Sequence, residues 1–253
     1  MKNWHVDLSG KVAIVTGGRR GIGLAMATGL AAAGARLAVV SASADADELK
    51  QKIDAVGGAL AYFQVDLADA EQRHGLIDKV VDRFGRLDIL VNNAGTTHRE
   101  PAATYDMGKW NELLNVMLNA VFDLSQQAAH VMIPQGSGCI VNTASMLSFS
   151  GGWTVPAYAA AKHGVAGLTK ALANEWAKEN IKVNAIAPGY ILTDLNVALF
   201  NDTTREPDIT SRIPAGYWAK PEEIVGPLLF LCSDAASYVH GHLLCVDGGW
   251  MAR

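Results

Sequence analysis

The chain has 253 residues, 50% hydrophobic and 18% charged, with a formal net charge of −4. That balance excludes a disordered chain, in which low hydrophobicity and high charge go together. It also lacks the basic excess that phosphate-backbone recognition leaves on a nucleic-acid-binding domain.

In chain order, the opening stretch "MKNWHVDLSGKVAIV" carries Asp7 and no apolar core ahead of a small-residue cleavage site, so no secretory leader is expected and the cytoplasm is the expected location. The first predicted strand, "KVAIVTG", runs into "TGGRRGIG" at 16–23 and then a helix-prone segment. Gly17, Gly21 and Gly23, with Ile22 between the last two, suit a tight turn, a close approach of a pyrophosphate and tight helix-strand packing, with the phosphates at the positive helix end. The apolar stretch that follows is broken by Gly29, Gly34 and Arg36, short of a membrane span. The second strand, "RLAVVSA", ends at Ser41 and Ser43 with no acid until Asp45. A ribose 2′-hydroxyl is commonly held by an acid here, whereas a 2′-phosphate needs cations or hydroxyls. Arg19, Arg20, Ser41 and Ser43 therefore favour NADP(H) over NAD(H).

"LAYFQVD", "LDILVNNAG", "GCIVNTAS", "IKVNAIAPG" and "HLLCVDGG" continue a series of apolar runs alternating with helical patterns. Runs without polar alternation predict parallel strands buried on both faces. The fold class is α/β: a single Rossmann-like, doubly wound parallel sheet of about seven strands with helices on both faces. Residues 1–253 read as one domain. Residues 190–220, rich in Pro, Gly and polar residues, read as a long substrate loop or lid. The three cysteines, Cys139, Cys232 and Cys245, lack ligand spacing and are expected as buried free thiols. His240 and His242 share one side of the last strand but have no third ligand, so no metal is expected.

After the fifth strand, Ser145 precedes Tyr158 by thirteen positions and Lys162 follows one helical turn later. Residues i and i+4 share a helix face. A phenol of pKa ~10 needs roughly 4 kcal/mol to fall by about three units. An ammonium ~4 Å away at an effective dielectric near 20 supplies about that much. Ser145 sits at the carboxyl edge of the sheet, where its hydroxyl can orient a carbonyl. Asn111, Asn115 and Asn119 recur every fourth residue on a helix between the fourth and fifth strands.

The G-x-x-x-G-x-G loop, "NNAG" at 92–95 and Tyr158-x-x-x-Lys162, in this order, resemble the short-chain dehydrogenase/reductase family from about Leu8 to the C-terminus. The resemblance implies an NAD(P)-dependent oxidoreductase. Tyr158 exchanges the proton, Lys162 lowers its pKa and holds the nicotinamide ribose, Ser145 orients the carbonyl, and Asn115 anchors a water. Asp66 and Leu67 would meet adenine, and Asn93, Ala94 and Gly95 would lie under its ribose. Pro188, Gly189, Ile191 and Thr193 would hold the carboxamide. Arg20 stands where similar NADP-using enzymes carry a base, and a homotetramer is implied.

Within the family, "SMLSFSGGWTVPAY", "RIPAGYW" and "VDGGWMAR" look most like the subgroup acting on 2-dehydro-3-deoxy-D-gluconate or 2-deoxy-D-gluconate. A sugar-acid carboxylate then calls for Arg99 or Arg212, with Arg205 and His98 as further cations and Trp153 and Tyr190 lining the pocket. A 3-oxoacyl carrier-protein reductase is the alternative enzyme, and a non-catalytic nucleotide-binding protein the alternative of another class.

Overall fold

Seven apolar runs form strands in the computed structural model, which describes residues 6–253. The first five residues, part of the stretch read for a leader, lie outside the described residues. The chain runs through β1 (Val12–Thr16), α1 (Gly21–Ala32), β2 (Arg36–Ser41), α2 (Asp47–Ala55), β3 (Leu60–Gln64), α3 (Ala70–Arg73), α4 (Leu76–Phe84) and β4 (Ile89–Asn92). It continues through α5 (Met107–Leu114), α6 (Ala120–Gln135), β5 (Gly138–Thr143), α7 (Pro156–Trp176), β6 (Ile181–Pro188), α8 (Val197–Phe200), α9 (Arg205–Arg212), α10 (Val225–Cys232) and β7 (Leu243–Val246).

The strands form one sheet in the order β3-β2-β1-β4-β5-β6-β7, every pairing parallel. Alternate strand residues feed two cores. Ala13, Val15, Leu37 and Val39 pack with Leu24, Met26, Leu49, Leu228 and Leu231 of α1, α2 and α10. Val12, Ile14, Ala38 and Val40 pack with Leu76, Val80, Leu124 and Leu172 of α4, α6 and α7. Each fully buried large aliphatic contributes about 1.5–3 kcal/mol, which is why these strands tolerate almost no polar residue. After β3 the chain crosses to the other side of β1 to begin β4. That reversal opens a crevice at the carboxyl ends of β1 and β4, the place where such sheets bind ligands.

Burial on both faces fails at the sheet edges. β3 is only partly covered, and Cys245 on β7 is exposed while Cys139 and Cys232 are buried, correcting the expectation of three buried thiols. β7 begins at Leu243, so His240 and His242 precede the strand instead of lying on it. Residues 190–220 hold α8 and α9 around a small core of Leu199, Ile209, Ile213 and Trp218, with Tyr190, Leu192 and Trp250 packed against it. Among the described residues, no helix is long and apolar enough to cross a membrane, and no group of three or more His, Cys, Asp or Glu is placed to hold a metal.

Candidate active site

Every site residue singled out from the sequence except Asn115 and His98 borders one cleft of about 1300 Å³ at the carboxyl edge of the sheet. Its floor is glycine backbone. A Cβ on Gly23 would lie 2.2 Å from the Gly17 carbonyl oxygen, and one on Gly17, at φ +64, would lie 2.9 Å from Ala94 Cα. Both contacts are with backbone, which leaves no room for any side chain. The first turn of α1 carries no acidic residue, and no side chain caps it. Gly21, Ile22 and Gly23 thus present the positive helix end to the cleft, as an anionic diphosphate requires. These residues fit a dinucleotide.

Asn93 joins this floor to β4. Its side-chain amide donates to the Thr16 carbonyl at 3.0 Å, and the Thr16 hydroxyl accepts the N–H groups of Asn93 and Ala94 at 2.9 and 3.0 Å. At the far end, Asp66 accepts the Ala68 N–H at 2.9 Å, fixing the turn after β3. Gly189 packs where a Cβ would approach Asp247 Cα at 2.7 Å, so the backbone after β6 runs tight against the segment after β7.

Ser145 is buried and begins a short 3-10 turn, Met146–Ser148. Its Oγ accepts the Leu147 N–H at 3.1 Å, leaving the hydroxyl hydrogen free to point elsewhere. Pro156 opens α7 from its first position, where its missing N–H costs nothing. That start sets Tyr158 and Lys162 on the cleft side.

The ammonium of Lys162 lies 5.6 Å from the centre of the Tyr158 ring and donates to the Thr143 carbonyl at 2.5 Å. Burial brings the Lys162 pKa down to about 8. Burial raises the Tyr158 pKa, opposed by the Ser145 hydroxyl and then by the positive charge of Arg99. The lysine stands beside the ring with one of its three donors on a backbone carbonyl, and the Arg99 charge also lowers the phenol's pKa.

After α5 the backbone widens into a π turn, Asn115–Asn119, and the Asn115 carboxamide oxygen accepts from Asn119 Nδ2 at 2.7 Å. Asn115 and Asn119 thus still meet across the turn, and Val116 and Met117 line the cleft beside them.

The mouth is cationic and aromatic. Burial raises the Tyr190 pKa, and the charges of Arg212, Arg99 and Arg205 oppose it. Arg212 stacks 4.3 Å from the Trp250 ring centre and Arg205 5.8 Å from that of Trp153. Trp153 is 78% exposed, so it stands at the rim and not in the core. His98 is engaged elsewhere, 3.0 Å from Glu100.

Residues 17–251 match the family model described as enoyl-(acyl carrier protein) reductase. The chain belongs to the short-chain dehydrogenase/reductase family. Over 98% of its length it is 48% identical to 2-dehydro-3-deoxy-D-gluconate 5-dehydrogenase from Pseudoalteromonas atlantica, of which it covers 98%. Among solved structures, a candidate NAD(P)-dependent gluconate 5-dehydrogenase from Beutenbergia cavernae, with NADP bound at low occupancy, is 48% identical with a TM-score of 0.95, covering 98% of this chain and 100% of that one. A gluconate 5-dehydrogenase from Burkholderia cenocepacia in complex with NADP and tartrate is 38% identical with a TM-score of 0.94, covering 98% of each. As a short-chain dehydrogenase/reductase, the chain is an NAD(P)-dependent oxidoreductase acting on CH–OH groups.

Two residues of this short-chain dehydrogenase/reductase escaped the sequence reading. Thr16, 1% exposed, ties the glycine loop to β4. A lone hydroxyl at the end of an apolar strand was its only signal. Ser148 accepts the Ser145 N–H at 3.3 Å and donates to the Lys162 carbonyl at 2.8 Å, linking the serine turn to α7. Its signal was weaker still, one serine among several in "SMLSFS".

Proposed function

We propose that this chain interconverts a hydroxyl and a keto group on a sugar acid of the 2-dehydro-3-deoxy-D-gluconate or 2-deoxy-D-gluconate type, with NADP(H) as the favoured coenzyme. The observation that carries the reading is the meeting, in one cleft, of a glycine-built anion floor, the Ser145–Tyr158–Lys162 group and a mouth holding Arg99, Arg205 and Arg212. A nicotinamide coenzyme supplies or accepts the hydride.

The protein's residues do the rest. Gly17, Gly21 and Gly23 admit the diphosphate, Asp66 and Leu67 border the adenine end, and Asn93 to Gly95 border its ribose. Lys162 binds the nicotinamide ribose hydroxyls. Pro188, Gly189, Ile191 and Thr193 hold the carboxamide. Ser145 donates a hydrogen bond to the reacting oxygen, and Tyr158 passes a proton to it in reduction and takes one from it in oxidation. Asn115, in the π turn after α5, anchors a water through which protons pass between Lys162 and solvent.

The substrate carboxylate is gripped at the mouth, where Arg212 and Arg99 line the cleft with Tyr190 and an arginine can meet both oxygens at once. The relatives named for gluconate-type acids, one of them holding tartrate, a hydroxy acid, support this choice. Those holding NADP support the coenzyme. Residues 190–220 would close over the bound acid as a lid on a one-domain enzyme, and a cytoplasmic homotetramer is the expected working form.

A spectrophotometric screen of keto sugar acids and 3-oxoacyl thioesters with NADPH and NADH in parallel tests the proposal. Fastest turnover on a keto sugar acid with NADPH is expected. Preference for the thioester would replace the substrate assignment.

A further inference from the structure

We propose that Arg253 is a positioning residue for the substrate carboxylate: by clamping the carbonyl end of α9 it holds Arg212 at the mouth of the cleft. The inference rests on the carboxylate reading of Arg212 above and adds the residue through which that arginine is set.

α9 ends without the partners a continuing helix would supply. The Ser211 carbonyl would be met by the N–H of residue 214 or 215, yet Pro214 has none and the Ala215 N–H turns to the Gly248 carbonyl at 2.9 Å. The Arg212 carbonyl is passed over in the same way, because the Gly216 N–H goes to the Ile213 carbonyl at 2.8 Å. One side chain meets both. Arg253 Nη1 donates to the Ser211 carbonyl at 3.3 Å and to the Arg212 carbonyl at 3.2 Å. A cation at this place also faces the negative end of the helix.

Arg253 reaches α9 because the segment after β7 folds back onto it. Asp247 accepts the Gly249 N–H with one carboxylate oxygen at 3.0 Å and the Met251 N–H with the other at 2.9 Å. Gly248, at φ +63, lies so close to the chain after α9 that a Cβ there would come within 2.8 Å of Ile213 Cγ2. This turn also seats Trp250, whose ring centre lies 5.1 Å from that of Tyr190 and 4.3 Å from the Arg212 guanidinium. Among the described residues no carboxylate pairs with Arg212, so two contacts fix it: the Trp250 ring on its guanidinium and the Arg253 clamp on its backbone. Arg253 borders the same cleft, which makes a direct grip on the acid the competing role. The two roles differ in additivity, since a residue acting through Arg212 contributes nothing once Arg212 is gone.

A double-mutant cycle on the full chain tests this, with oxidation of 2-dehydro-3-deoxy-D-gluconate by NADP as the assay and thermal melts to check that each variant folds. Arg253→Ala is expected to raise KM about fivefold while kcat and NADPH affinity change by less than about twofold. Added to Arg212→Ala, the same substitution should change KM by less than about twofold. An unchanged KM in Arg253→Ala, a fall in kcat as large as the rise in KM, or a KM rise of the same factor on both backgrounds would each overturn the proposal and leave the carboxylate reading standing. An unchanged KM in Arg212→Ala would overturn the carboxylate reading and the proposal with it, as would a wild-type chain without turnover on this acid.

Discussion

The two walls of the cleft are built by different means. The wall under β1 and β4 is backbone: glycines packed against carbonyls, with Thr16 and Asn93 stitching two strand ends together. The wall formed by residues 190–220 and the rim is side chain: Arg99, Tyr190, and Arg205 and Arg212 stacked on Trp153 and Trp250, over a core of only a few residues. The first wall has one shape that its sequence can make, and the coenzyme proposed for it is common to many enzymes. The second can change by substitution without disturbing the sheet, which suits it to setting substrate choice.

The sharpest way to break the first wall is Gly23→Ala. Its Cβ would sit 2.2 Å from a carbonyl that cannot move without shifting the loop. Loss of measurable coenzyme binding is expected, with destabilisation on the order of 3–5 kcal/mol by urea denaturation. A variant that bound NADPH normally would show that the floor is looser than its packing indicates.

Between the walls stands Lys162, buried and brought down to a pKa of about 8 by that burial. Below pH 8 it is charged in both the folded and unfolded chain, and the folded state bears the full desolvation cost. Between 8 and its ordinary 10.5 only the unfolded chain keeps the proton, so this cost fades as pH rises. Lys162→Met is therefore expected to stabilise the fold by about 2–3 kcal/mol at pH 7 while abolishing turnover, with the stability gain shrinking in urea titrations as pH rises from 8 toward 10.5. A gain independent of pH would remove the desolvation argument.

The second wall should fail more gently. Arg212→Ala is expected to raise KM for the sugar acid about tenfold, roughly 1.4 kcal/mol, with coenzyme affinity and stability nearly unchanged. An equal rise for neutral carbonyl substrates would show lost packing on Trp250 instead of a lost carboxylate partner. Arg99→Gln sharpens the comparison most finely. Because the Arg99 charge lowers the Tyr158 pKa against burial, its removal should move the rise of alcohol oxidation with pH toward more alkaline values. An unmoved profile would assign Arg99 to the substrate alone.

The sheet was legible because buried parallel strands need uninterrupted apolar runs, and the glycine loop because its backbone geometry excludes other residues. What the sequence concealed was direction. The helix widens into a π turn at Asn115–Asn119, from which Val116 and Met117 line the cleft, and such a widening leaves no mark on a fourfold asparagine spacing. Helical periodicity correctly brings Tyr158 and Lys162 to one face, yet only coordinates show the ammonium beside the ring and bound to Thr143. Residues 190–220 resisted reading because α8 and α9 are short and α9 is largely polar, owing their place to Leu199, Ile209 and Trp218 and not to a long apolar stripe.

The most direct test of the central claim is Tyr158→Phe, measured for turnover of an accepted keto sugar acid and, on the same preparation, for NADPH affinity. Turnover is predicted to fall about 1,000-fold or more while NADPH binding changes by less than about twofold. A phenylalanine variant retaining turnover near that of the wild type would contradict the assignment of proton transfer to this hydroxyl.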